Sequence, residues 1–352
     1  MKYYLTLLLF LTFNQSFSQT YIGYNEKVSL ELVQEINLKE NINFLGKIVD
    51  FEVENNKIYL VDSRNPSIVE YNHEGVQQKI YNKKGRGPFE LVRPSLIRII
   101  ENKIFIWDNT LLKLSSFTPN FDPYLEISDF PRAISDFHLI DDQLILYLSG
   151  GAKGPLIAIY EMDKKKEKRI SVIDKSSEHI MLMRLEQSGG LDVINKNIFY
   201  TAADQPELYN IYSPNFLAPI TSHKLNFNNF EVEKINENPT KIINNNPNKM
   251  LDYISQNSRM INVVAMNEYT VVEAHTGTLN RNNEDPFKDR KSEIVILDNN
   301  QQQIDLINIS ELSFTSSALR ASFDNNIYVL FEDIKEENNR YKIQIWKLEK
   351  SN

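Results

Sequence analysis

Five polar residues lie on otherwise apolar, strand-like runs, and their side chains are of types that bind ligands or transfer protons. They are the carboxylates Asp50, Asp136 and Asp192, the guanidinium of Arg98 and the imidazole of His138. Carboxylates hold a cation or accept hydrogen bonds from sugar hydroxyls, a guanidinium binds an anion, and an imidazole transfers protons near neutral pH. The alternative is structural, in which these groups bond only to one another or to water.

The segment YNKKGRGPFELVRP, Tyr81 to Pro94, is a second candidate, because Gly85 and Gly87 have basic neighbours. A phosphate-binding P-loop requires Lys and Ser or Thr leading into a helix, and a dinucleotide fingerprint requires a third glycine where Glu90 stands. Neither pattern is complete. We therefore expect a link between strands, in which both glycines adopt positive φ and Pro88 keeps the segment extended.

Other catalytic signatures are missing from the sequence. It contains no His-Glu-x-x-His, Gly-x-Ser-x-Gly or EF-hand pattern, only five histidines, and no cysteine, which excludes disulfides and thiolate chemistry. With 39 basic and 47 acidic residues the net charge is −8, which argues against nucleic-acid binding. The basic run Lys164 to Arg169 is expected to be a solvated turn. No cofactor is expected, and a structural or channel-bound cation is the alternative left open.

The first twenty residues, MKYYLTLLLFLTFNQSFSQT, have the layout of a secretory signal peptide. A basic residue precedes an apolar run that is too short to span a bilayer, and small residues follow it. We expect residues 1–18 to be removed by cleavage near Ser18/Gln19. Residues 19–352 are then expected to form one periplasmic or secreted domain that does not insert into a membrane.

The elements that must position the candidate residues are short strands joined by a recurring hairpin. In each copy an apolar residue, about three polar turn residues and another apolar residue connect two runs of β-branched and aromatic residues. The hairpin occurs six times, and the first residue after each turn is Ile58, Ile104, Leu144, Ile198, Thr270 or Ile327. This spacing predicts four-stranded units of roughly 40 to 50 residues, with longer intervals carrying loops.

Counting strands predicts how the units close into a ring. The first unit contains four strands between Lys47 and Asn82, whereas the last unit ends one strand short after Tyr341 to Glu349. An additional strand-like run, Lys27 to Leu38, precedes the first unit. Pairing this run with the last unit would remove two open sheet edges. The predicted fold is therefore an all-β, six-bladed β-propeller closed by an N-terminal strand added to the last blade.

One part of the chain resembles a known family. The run LVDSRNPSIVEYNHEG, Leu60 to Gly75, followed by GRGPFELVRP, looks like an NHL-type propeller repeat. Together with the signal sequence and the chain length, it resembles the exported six-bladed β-propeller proteins of Bacteroidota, in the NHL-like/TolB-like superfamily. The family link reads Gly-x-Gly-Pro-Gly-Glu-Phe, whereas here Phe89-Glu90-Leu91 follows Pro88. The resemblance covers residues 46 to 126.

In a propeller the first strand of each blade lines a central channel, and the five candidate residues fall on such strands. Asp62 and Asp108 end second strands and are expected to stabilise turns. Asn226 to Lys249 and Thr278 to Ser292 are expected to be long loops. These features predict an exported, monomeric binding module that presents a loop face or its channel to a protein, peptide or glycan. The alternative is a propeller-type lyase or hydrolase with a cation or His138 at the channel mouth.

Overall fold

The computed structural model describes residues 20–22, 28–39, 45–128, 130, 133–148, 156–162, 166–169, 189–212, 221–233, 239–278, 289–308, 319–321, 326–332 and 340–350. The predicted signal peptide, residues 1–18, lies outside the described residues, as does most of the predicted loop 278–292. Apart from two short helices, the regular secondary structure of the described residues is β-strand.

The strands form six antiparallel sheets, each a blade built outward from its first strand. Blades 1 and 2 contain β3 (Ile48–Glu54), β4 (Lys57–Asp62), β5 (Ser67–Asn72) and β6 (Gln77–Tyr81), then β7 (Pro94–Ile100), β8 (Lys103–Asp108), β9 (Lys113–Phe117) and β10 (Pro123–Ile127). Blades 3 and 4 contain β11 (Asp136–Ile140), β12 (Gln143–Tyr147), β13 (Ile157–Glu161) and β14 (Lys166–Arg169), then β15 (Gly190–Ile194), β16 (Asn197–Thr201), β17 (Glu207–Tyr212) and β18 (Thr221–Lys224). Blade 5 contains β19 (Arg259–Ala265), β20 (Thr270–Gly277), β21 (Arg290–Leu297) and β22 (Gln303–Asn308). Blade 6 contains β23 (Leu319–Ala321), β24 (Asn326–Glu332), β25 (Tyr341–Lys350), β2 (Val28–Asn37) and β1 (Thr20–Ile22).

The blades are arranged as a closed ring. The first strands β3, β7, β11, β15, β19 and β23 each neighbour the next, and β23 neighbours β3. Six hydrophobic clusters lie one at each blade interface, with Trp107 between blades 2 and 3 and Trp346 between blades 5 and 6. Sheets that pack face to face bury large side chains of this kind between them. The predicted six-bladed β-propeller is confirmed.

The recurring hairpin joins the first and second strands of a blade. In blades 1, 2 and 4 both of its turn residues have positive φ, as in Asn55 (48°) with Asn56 (60°) and Asn195 (50°) with Lys196 (63°). A two-residue turn of this hand matches the twist of the strands it connects, and Asn tolerates it well. The polar turn residues therefore fix the register of each blade's first two strands, such as Glu54 opposite Lys57.

The last blade contains strands from both ends of the described chain. β2 pairs antiparallel with β25, from Val28 opposite Lys350 to Asn37 opposite Lys342, and β1 adds a fifth strand outside β2. Tyr341 also joins blade 6 to blade 1, because its hydroxyl donates to the carbonyl of Gly46 at 3.1 Å. The fifth strand was not predicted from the sequence.

Two short helices occupy part of the region predicted to be a loop over 226–249. They are α1 (Pro239–Asn245) and α2 (Pro247–Gln256). The side chain of Asn246 accepts a hydrogen bond from Lys249 N at 3.1 Å, and Pro247 takes the first helical position. Asparagine as N-cap followed by proline is a strong helix start, so the loop prediction was wrong here. In the described residues no helix is long and apolar enough to cross a membrane.

Two smaller predictions also require correction. The basic run expected to be a turn contributes β14, the outermost strand of blade 3. In the glycine segment Gly85 has a φ of 147°, whereas Gly87 does not adopt positive φ. Gly87 N instead donates to Glu90 Oε2 at 2.7 Å, and Phe89 N donates to Glu126 Oε2 at 2.6 Å. The segment is a turn fastened to blade 2, which confirms the link interpretation.

Candidate functional site

A cavity of about 790 Å³ occupies the centre of the ring and is lined by residues from all six blades. Glu54, Asn55, Asn56 and Asn195 among its lining residues belong to the first hairpins of blades 1 and 4. The cavity therefore lies at the channel end where the first hairpins turn, here called the hairpin mouth. Since successive strands reverse direction, the segment between β18 and β19, which carries α1 and α2, lies at the opposite end.

Arg98 on β7 holds together the first strands of three blades. Its Nη1 lies 2.9 Å from Asp50 Oδ2, and its Nη2 donates to Asp136 Oδ1. All three side chains are buried. Burial lowers the pKa of Arg98, but the charges of Asp136 and Asp50 outweigh it and raise that pKa overall. The guanidinium is therefore charged at every pH the protein meets, and its main partners are internal.

Asp192 on β15 bridges two blades through backbone hydrogen bonds. Its Oδ1 accepts from Val193 N at 2.8 Å, and its Oδ2 accepts from Ala265 N on β19 at 2.7 Å. Asp50 acts in the same way, accepting from Ile97 N of the next blade at 2.9 Å. A carboxylate offers about four acceptor positions. Asp192 therefore joins blades 4 and 5, and it lines the cavity.

His138 on β11 lines the same cavity. Its Nδ1 lies 2.9 Å from Leu139 N and 3.0 Å from Leu139 O, so the ring is fastened to its own backbone through one nitrogen. The other nitrogen, Nε2, is the one that these bonds leave for the cavity. Burial, aided by the charge of Arg98, lowers the pKa of His138 to about 4. The imidazole is neutral at pH 7.

Glu52 and Glu54 also line the cavity, and neither was among the predicted site residues. Glu52 Oε1 accepts from Val53 N at 3.2 Å, and Glu54 Oε1 accepts from Asn55 Nδ2 at 3.4 Å. Burial raises the pKa of Glu54. A signal for both was present in the sequence, because Asp50, Glu52 and Glu54 alternate on one strand and therefore share a face.

The five predicted residues thus divide into two sets. Arg98, His138 and Asp192 line the cavity, whereas Asp50 and Asp136 are the buried partners of Arg98 and are not among its lining residues. Within the described ranges, no group of three or more His, Cys, Asp or Glu side chains is placed to hold a metal ion.

A separate buried polar cluster lies in blade 5. Ser292 Oγ donates to Glu273 Oε1 at 2.7 Å, and His275 Nε2 lies 3.6 Å from the same oxygen. Burial lowers the pKa of His275 to about 4, although Glu273 opposes the shift. Nucleophilic catalysis requires the serine to give its proton to the histidine. Here the serine donates to the glutamate, and the three residues are buried, so the cluster is structural.

Comparisons with solved structures agree with this architecture. A DUF4221-family protein from Bacteroides vulgatus superimposes with a TM-score of 0.70 at 12% identity, covering 92% of this chain and 99% of that one. A protein from Bacteroides fragilis that is designated an exported protein gives 0.63 at 14% identity, covering 94% and 97%. The shared property is the fold. No protein-family model matches the sequence, and neither does any curated protein.

Proposed function

We propose that this protein is an exported binding module that takes its ligand, part of a protein, a peptide or a glycan, into the central channel at the hairpin mouth. The observation that supports this most is the cavity of about 790 Å³, to which all six blades contribute lining residues. Ligand sites are typically concave, of about 300 to 1,000 Å³, with apolar walls and a few polar groups. The cavity falls within this size range, and its lining combines apolar side chains with a larger share of polar ones.

Export is part of the same proposal. The N-terminal sequence has the layout of a signal peptide with cleavage near Ser18, and a protein of the same fold from Bacteroides fragilis is designated as exported. A periplasmic or secreted location follows for residues 19–352.

Binding is favoured over lyase or hydrolase chemistry by the bonds of the polar side chains. Asp50, Asp136 and Asp192 already accept hydrogen bonds from Arg98 or from backbone N–H groups. His138 Nδ1 is engaged by Leu139, and with a pKa of about 4 the ring is a weak proton acceptor at pH 7. These contacts orient and hold the channel wall.

The proposal is tested by narrowing the cavity. Mature protein is titrated with defined pools of peptides and of oligosaccharides, and binding is followed by calorimetry. Glu54→Tyr places a ring at a strand position of the hairpin mouth, whereas Glu74→Tyr places the same ring at an exposed turn of blade 1 outside the cavity lining.

We expect at least one pool to bind, Glu54→Tyr to weaken binding at least tenfold, and Glu74→Tyr to bind like the wild type. Binding that is equal in Glu54→Tyr and the wild type, or no binding by either pool, would overturn the channel as the ligand site.

A further inference from the structure

The charges around the cavity specify its ligand more closely, provided that the proposed function holds. Among the described residues that line it, Glu52, Glu54 and Asp192 are acidic and Arg98 is the one cationic side chain. The charge of Arg98 is already opposed by Asp50 and Asp136. With His138 neutral, the described part of the wall places one positive charge beside five carboxylates. A confined site with such an excess attracts cations, because low-dielectric walls strengthen the field inside it.

Glu54 is the lining carboxylate that a bound cation would stabilise most directly. Among the described residues it makes no salt bridge, and its hydrogen bond to Asn55 is 3.4 Å long. It is nevertheless partly withdrawn from water, which raises its pKa. A half-buried carboxylate of this kind is stabilised when a positive group binds beside it.

His138 is an independent sign that the cavity accommodates a ligand. Its ring is largely buried and is fixed by Leu139 at Nδ1, which directs the remaining nitrogen toward the cavity that it lines. Such a nitrogen needs a hydrogen-bonding partner from within the cavity.

The size and walls of the cavity favour an organic cation over a metal ion. A metal ion requires several ligand atoms within about 2.6 Å, and no suitable group of side chains exists in the described parts of the chain. The space of about 790 Å³ is far larger than one ion requires. Apolar side chains from four blades also line the cavity, namely Val53, Ile99, Val193, Ile194, Val264 and Met266.

We propose that the cavity binds an ammonium or guanidinium group on an aliphatic stem, with the cation beside Glu52 and Glu54 of blade 1, facing Asp192 of blade 4 across the channel, and the stem against the apolar lining residues. The polar cation and its apolar stem match the two kinds of lining residue that the cavity offers. Two sources carry this chemistry: a lysine or arginine side chain of a peptide, and a free diamine.

The probes for this proposal are the end-blocked tripeptide Gly-Lys-Gly, its uncharged counterpart with norleucine in place of lysine, and cadaverine. Binding to the mature protein is measured by calorimetry at low and high salt. The variant is Glu54→Gln, which removes one charge and keeps the shape. Glu74→Gln is the matched control, because it removes the same charge from an exposed turn outside the cavity lining.

We expect the lysine peptide or cadaverine to bind, the norleucine peptide to bind at least tenfold more weakly, and Glu54→Gln to weaken cation binding about tenfold while Glu74→Gln does not. Tighter binding of the peptide than of cadaverine identifies a peptide source, and the reverse identifies a free amine.

Two failures are distinguishable. If uncharged peptides or oligosaccharides bind in a manner sensitive to Glu54→Tyr, and the cationic probes do not bind, the inference is wrong and the binding module stands. If no ligand responds to Glu54→Tyr, both proposals fall. Equal affinity for the lysine and norleucine peptides, or for Glu54→Gln and the wild type, also contradicts the cationic ligand.

Discussion

The carboxylates at the ends of the second strands differ sharply from those in the channel. Asp62 is fully buried and accepts four backbone N–H groups, those of Gly46 at 2.6 Å, Lys47 at 3.0 Å, and Arg64 and Asn65 at 2.9 Å. Asp108 does the same in blade 2, accepting four N–H groups at 2.7 to 3.0 Å. These bonds confirm the turn-stabilising role predicted for both residues.

In the channel, by contrast, Glu54 accepts one long hydrogen bond, 3.4 Å from Asn55 Nδ2, and makes no salt bridge among the described residues. The recurring aspartates therefore resemble functional residues in the sequence and are saturated in the structure. Glu54 makes fewer bonds and keeps acceptor capacity toward the cavity that it lines. The number of bonds already made, rather than recurrence, separates structural acids from candidate binding acids.

A large loss of stability is expected when a saturated aspartate is removed. Asp62→Ala leaves four backbone N–H groups without their acceptor, and each unsatisfied buried group costs about 1 to 3 kcal/mol. Since some of these groups can reach water, we expect the free energy of unfolding to fall by about 3 kcal/mol in urea titrations.

Glu54→Gln is the comparison for that experiment. Burial raises the pKa of Glu54, so at pH 7 its ionised form is less favourable in the folded protein than in the unfolded chain. Removing the charge should leave stability at pH 7 unchanged or slightly higher, within about 0.5 kcal/mol. If Asp62→Ala and Glu54→Gln lowered the free energy of unfolding equally, the distinction between saturated turn aspartates and channel carboxylates would be wrong.

Arg98→Met should lower the free energy of unfolding by about as much as Asp62→Ala, or by somewhat more. It leaves Asp50 and Asp136 buried without their guanidinium, and breaking one side of a buried ion pair typically costs about 3 to 5 kcal/mol. Adding Asp50→Asn and Asp136→Asn to Arg98→Met should restore part of the loss, because no unpaired charge then remains. A triple variant less stable than Arg98→Met would contradict this account of the channel wall.

A smaller effect than those of Asp62→Ala and Arg98→Met is expected from the titration of His138, as a pH dependence of stability. Its pKa falls from 6.5 to about 4 on folding, so the unfolded chain binds the proton more tightly. Stability is complete above pH 6.5 and declines as the pH falls toward 4. Between pH 7.5 and 5.5 the wild type should lose about 1 kcal/mol more than His138→Gln, measured by urea unfolding at both values. His275 titrates in both proteins and cancels; identical pH dependence would show that His138 is solvated.

Much of the architecture was predictable because it depends on local chemistry. Two-residue turns such as Asn55-Asn56 specify hairpins whatever surrounds them, and period-two alternation, as at the start of β2 (Val28–Asn37), specifies which face is buried. The helix α2 was missed although Asn246-Pro247 is a recognisable start, since a strand-rich chain with many Asn residues favoured a loop. Within the candidate site, the alternation of Asp50, Glu52 and Glu54 predicts that these side chains share one face of β3. It does not predict that Glu52 and Glu54 line a cavity together with residues of other blades.

The sequence by itself therefore determined the blades, their number and the turns that join their strands, because these follow from interactions between residues close together in the chain. Only the tertiary structure determines which carboxylates have their hydrogen-bond acceptor positions occupied and which line the cavity. Arg98 meets Asp50 and Asp136 across intervals of 48 and 38 residues, and Asp192 meets Ala265 across 73. Such distances are closed only when the ring forms, and it is the ring that brings Glu52, Glu54, His138 and Asp192 around one cavity.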